Sequence, residues 1–216
     1  MNDSKNKKII GYIAYVLAFL LAFYVVKEIR NERNIQTMSA NVESEMKDRI
    51  ESAQQKTDGP VMEELMKNGV EEFNTQLDNV KNENKKLNIA ANNFYGYYML
   101  NVDGRQKYCE KFGVKMPKFI NAFKNFNQQL FDKASKIQAE EQRRNGQMFS
   151  YDQLSAALVP TFSRILDQDF SDIKKIYNLN DAEACELLEN NAAEVVKGMD
   201  YKQRNVQAAA LLLSYN

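Results

Sequence analysis

The chain has 216 residues, 44% hydrophobic and 27% charged, with 29 basic and 29 acidic side chains and no formal net charge. It contains no His and no Trp, only three Pro, eight Gly and two Cys, and its mean hydropathy is −0.57. Without histidine no Ser-His-Asp or Cys-His nucleophile can be built, nor an H-E-x-x-H zinc site, and two cysteines alone make no Cys/His finger. Balanced charge argues against a general polyanion binder, so nucleic acid is not expected as a partner. The length suits one domain plus an appendage.

The appendage comes first. Ile9 to Val26 reads IIGYIAYVLAFLLAFYVV, 18 residues without a charge, closed by Lys7 and Lys8 before it and Lys27 after it. As a helix it would span about 27 Å, close to the hydrocarbon thickness of a bilayer. Tyr12, Tyr15, Phe23 and Tyr24 stand near its ends, where interfacial aromatics belong. A cleavable signal peptide shares this pattern, but the run is long for one and no small-x-small site follows it. The expectation is an uncleaved single-pass anchor at 9–26 behind a short tail, 1–8. Lys5, Lys7 and Lys8 on one flank balance Lys27, Arg30 and Arg33 on the other. The short tail with its free amino group tips the expected orientation to N-in, with residues 27–216 outside the cytoplasm and the bilayer an inner, cytoplasmic membrane.

Residues 27–58 are polar, with Ile29, Ile35, Met38, Val42, Met46 and Ile50 in a thin helical stripe suited to a stalk. Asp58-Gly59-Pro60 breaks it, and 59–216 reads as a helical-bundle domain. Met66, Val70, Phe73, Leu77, Val80, Asn84, Leu87, Ala91, Phe94 and Tyr98 then follow alternating steps of four and three. That is a heptad seam, and it predicts one long helix over 66–98 with Asn84 at a register-setting position. The seam either packs inside its own bundle or pairs with another chain. Phe73, Leu77, Val80, Asn84, Leu87, Phe94, Tyr95, Tyr97 and Tyr98 are therefore the candidate partner-binding residues.

Asn101-Val102-Asp103-Gly104 predicts a turn ending that helix. A short helix around Tyr108, Cys109 and Phe112 runs to Gly113, and Pro117 opens the next, with Phe119, Ile120, Phe123, Phe126, Leu130, Ala134 and Ile137 on its apolar face. Ser150-Tyr151-Asp152-Gln153 reads as a capping box, and Pro160 divides the helix that follows. Asn180-Asp181-Ala182-Glu183 starts a helix predicted to end at Gly198, and a last helix begins near Tyr201. No alternating β-branched run, Asn-Gly hairpin or Gly-rich phosphate loop is present. The predicted fold class is all-α.

Candidate chemistry is sparse. Residues 105–144 hold ten basic and four acidic side chains, and 150–216 hold six basic and ten acidic ones. The first reads either as a surface for anionic lipid or as a helix balanced by its acidic neighbours. Asp167, Asp169 and Asp172 lack the central Gly and terminal Glu of a calcium loop, and read instead as caps and first-turn acids. No metal, cofactor or catalytic residue is assigned. Cys109 and Cys185 both sit on apolar faces, so a disulfide and buried free thiols both fit, the first requiring an oxidising compartment. The expected function is a membrane-anchored interaction protein, a scaffold, adaptor or accessory subunit of an envelope complex, with a protein partner or self-association. The alternatives are a small envelope enzyme using carboxylates on a polysaccharide, and a cytoplasm-facing module binding anionic lipid.

Overall fold

Among the described residues, eleven α-helices, one π-helical turn and one 3-10 segment make up the architecture, and no strand occurs. In this computed structural model the described residues are 35–145 and 151–216. The apolar run Ile9–Val26 and the cap residue Ser150 lie outside them. Among the described residues no helix is long and apolar enough to cross a membrane.

Helix α1 (Ile35–Lys56) and helix α2 (Val61–Asp78) form a hairpin across Asp58-Gly59-Pro60. The stalk reading of this region needs correction. Met46, Ile50 and Ala53 are buried, and α1 packs on α2 and on later helices of the domain. Three apolar positions at i, i+4 and i+7 make a narrow stripe, yet burying each large one contributes roughly 1.5–3 kcal/mol. That is enough to lay this part of α1 on the domain.

The expected single helix over 66–98 is two. Helix α3 (Glu83–Met99) is separated from α2 by Asn79–Asn82. Asn82 caps α3, its side chain accepting the Lys85 amide at 3.0 Å, while the Asn79 and Val80 amides close the end of α2 on Thr75 and Leu77. The apolar stepping continues through the break because both helices turn the same kind of face to one core. Asn84 falls in the exposed first turn of α3 instead of in a seam.

The predicted stop at 101–104 is also absent. The chain passes from α3 through a π-helical turn (Leu100–Gly104) directly into α4 (Arg105–Glu110). Gly104 explains the tightness there, since a Cβ would stand 3.1 Å from Phe162 and 3.4 Å from Leu166. Helix α5 (Pro117–Asn145) packs along α3 and buries Phe119, Phe123, Asn127, Leu130, Ala134 and Ile137.

Pro160 divides the next stretch as its backbone chemistry requires. Helix α6 (Tyr151–Leu158) gives way to a 3-10 segment (Val159–Phe162) and then α7 (Ser163–Tyr177), which ends on Asn178 in the left-handed region at φ 55°. Asn180 and Glu183 form a reciprocal capping box at the expected helix start, that of α8 (Asp181–Asn190). The helix predicted to run on to Gly198 breaks at Asn191, giving a separate α9 (Ala192–Gly198). Short α10 (Tyr201–Arg204) and α11 (Val206–Ser214) close the chain, with α11 packed on α3 and α5.

Helix α3 is the centre of the core. Every residue from Asn88 to Met99 is buried, between α5 on one side and α11 on another. Cys109 on α4 and Cys185 on α8 are joined by a disulfide with Cα atoms 5.7 Å apart, and both residues are fully buried.

Candidate functional site

Most of the expected partner-binding residues are spent on the domain's own core. Phe73, Leu77, Phe94, Tyr95, Tyr97 and Tyr98 are all buried, and Phe94 packs edge-on to Tyr201 with ring centroids 5.1 Å apart. Val80 and Leu87 are half-buried, and Asn84 is exposed. The heptad pattern therefore records intramolecular packing. Burial in this core is what the steps of three and four describe.

From α3 through the π-helical turn into α4, polar side chains stand one turn apart through this core. Asn93 accepts hydrogen bonds from the Tyr201 hydroxyl (2.5 Å) and Asn205 Nδ2 (3.0 Å). Tyr97 donates to the Met199 carbonyl at 2.5 Å, and Asn101 Nδ2 donates to the Tyr97 carbonyl at 2.8 Å. Arg105 Nε donates to Asn101 Oδ1 at 2.9 Å, and the guanidinium meets Asp169 of α7 at 2.6 Å. Such networks in low dielectric specify one arrangement when satisfied. Burial pushes the Asp169 carboxyl up to about 7, against the pull of Arg105 and with a smaller push from Asp172.

A second cluster surrounds Asp103, which accepts from the Tyr151 hydroxyl (2.8 Å) and Ser155 Oγ (2.7 Å). Tyr95, Tyr98, Phe131 and Tyr151 pack together there with centroids 4.5–5.9 Å apart. The Tyr98 hydroxyl is pushed up to about 12 by burial and by the charges of Asp103 and Asp132. The rings fill their own space. The cluster is core with a polar edge.

The three aspartates of 167–172 are not at a helix start, as expected from the sequence, but along the body of α7. Asp167 is exposed, Asp169 pairs with Arg105, and Asp172 Oδ2 accepts the Met62 amide at the start of α2. No group of three or more Cys, Asp and Glu side chains among the described residues is placed to hold a metal ion.

A concave feature lies elsewhere. A groove of about 900 Å³ runs between α1 and α2, walled by Glu45, Arg49 and Lys56 on α1 and by Glu71, Glu72 and Thr75 on α2. Leu65, Gly69 and Val80 supply its small and apolar lining. Arg49 ties the walls together: Nε and one terminal nitrogen hold Glu45 at 3.1 and 2.7 Å, and the other reaches Glu72 at 2.6 Å. Burial lowers the Arg49 guanidinium, and the hydrogen bonds and charges of the two glutamates more than reverse that. A smaller hollow of about 410 Å³ is lined by Leu77, Asp78, Lys86, Ala210 and Leu211. Val206 and Leu213 on α11 are among the exposed large apolar side chains.

Of the residues singled out from the sequence, Val80 lines the groove and Leu77 the hollow. Sequence reasoning missed Arg49, Gly69 and the Glu71-Glu72 pair. A signal existed, because a glycine amid strongly periodic helix sequence costs about 1 kcal/mol against alanine and so invites a reason. Compared with known proteins, the chain matches no family model, no curated protein and no solved structure.

Proposed function

We propose that the protein is a membrane-anchored helical interaction protein, held in a bilayer by Ile9–Val26 and presenting its domain on the extracytoplasmic side. The observation that carries this reading is the groove between α1 and α2. Helix α1 begins nine residues after the uncharged run ends and forms one wall of that groove, so the surface offered to a partner is built from the segment next to the anchor. A groove between two helices with charged walls suits a protein segment better than a small molecule, which needs enclosure. The Cys109–Cys185 disulfide supports an oxidising compartment, where such bonds persist.

Alkaline phosphatase and a fluorescent protein, fused in turn to the C-terminus, test the topology, and carbonate extraction of membranes tests the anchor. The reading expects phosphatase activity, no fluorescence, and retention in the membrane pellet. Fluorescence without phosphatase activity overturns the orientation, and release by carbonate overturns the anchor.

A further inference from the structure

We propose that the α1–α2 groove takes an amphipathic helix of a partner protein, one that carries Lys or Arg beside its apolar stripe. The inference rests on the interaction reading above and names the partner's chemistry. A groove between two packed helices is the shape into which a third helix lays its ridge of side chains. Its volume of about 900 Å³ accommodates a few anchoring side chains on two turns, in contact with Leu65, Gly69 and Val80.

Gly69 is buried in the middle of α2 and lines the groove. Lacking a Cβ, it adds no side chain to that part of the groove wall. Charge sets the partner's sign. Glu71 and Glu72 stand across the groove from Glu45, and these three lining carboxylates outnumber the lining cations, Arg49 and Lys56. Arg49 shows what these walls recognise, since one guanidinium engages Glu45 and Glu72 together at 2.6–3.1 Å. A partner cation lying alongside would meet Glu71 and the remaining carboxylate lone pairs. Lys56 lies toward the α1–α2 connection and the glutamates farther from it, so the partner's basic residues face the Glu71 end.

The test uses the full chain in detergent micelles. Because the sequence has no Trp, Thr75→Trp on the groove wall is the sole indole reporter. Synthetic helical peptides of one length and one leucine spacing, with polar positions filled by Lys, Gln or Glu, serve as probes. The expected result is a blue shift with the Lys peptide, at least about tenfold tighter binding than the Gln peptide, and no shift with the Glu peptide. Added salt weakens the Lys peptide. Glu71→Lys, an exposed change, reduces its binding about tenfold or more, and Gly69→Leu abolishes it while the helical circular dichroism is retained. Equal response to all three peptides, or to none, overturns the proposal. So does a concentration-dependent blue shift without peptide, which would make a second copy of the chain the occupant. Loss of anchoring in the carbonate experiment leaves this titration unchanged, so the two readings fail separately.

Discussion

Arg105 on α4 and Asp169 on α7 meet at 2.6 Å with 1% of either side chain exposed. Removing one partner of such a pair strands the other, and the two sides are unequal. A guanidinium does not shed its proton, whereas a carboxyl can take one up. Asp169→Leu is therefore expected to cost about 3–5 kcal/mol and Arg105→Met distinctly less, with the double replacement less costly than Asp169→Leu alone. Urea midpoints of the three variants check this ordering.

The same carboxyl gives the fold a pH dependence. Its folded value, about 7, lies above the ordinary unfolded value near 3.9. Between those limits the folded state binds more protons, so stability falls as pH rises from about 4 to about 7. Asp172, also raised by burial, acts in the same direction. Asp169→Asn should flatten most of this slope. A wild-type stability that climbs through this window contradicts the assignment.

Two helices that begin near prolines are capped from a distance. Asp172 accepts the Met62 amide of α2 at 3.2 Å, and Glu189 accepts the Lys118 and Phe119 amides of α5 at 3.0 Å each. The negative charge also faces the positive helix end. Glu189→Ala is expected to cost about 1–2 kcal/mol, and Glu189→Gln less, in chemical denaturation.

Two asparagines stand at the start of α3, Asn82 as its cap and Asn84 in its first turn. Asn82→Ala removes a cap and should cost about 1 kcal/mol. Asn84→Leu, at an exposed position, should leave stability within about 0.5 kcal/mol and sedimentation unchanged. New oligomers on that substitution would revive the intermolecular seam.

Local chemistry made much of the helical fold legible. The Asn180–Glu183 box, the division at Pro160 and the apolar face of α5 are each written within a few residues. The break at 79–82 was hidden because Leu77, Val80 and Leu87 keep heptad spacing across it. Asn101-Val102-Asp103-Gly104 resembles a turn in isolation, yet Asn101 is held inside the helix by Tyr97 and Arg105. The distant caps were illegible for a simpler reason: Glu189 lies 70 residues from Phe119. The groove is a relation between two helices, and only Gly69 hinted at it.

The disulfide should contribute about 2–4 kcal/mol, since its cysteines are 76 residues apart and the reduced chain regains that loop freedom when unfolded. The double variant Cys109→Ala/Cys185→Ala should melt lower than wild type, and reductant should not alter its melting.

That bond also changes what a peptide-bond cleavage means. Residues 109 to 185 form a covalent ring that includes α5, α6 and α7. A protease cutting once between them opens the ring without releasing either piece. The cut protein would run as one species on a gel without reductant and as two with it. Nicked molecules keep the N-terminal piece and the C-terminal helices together for as long as the surroundings stay oxidising.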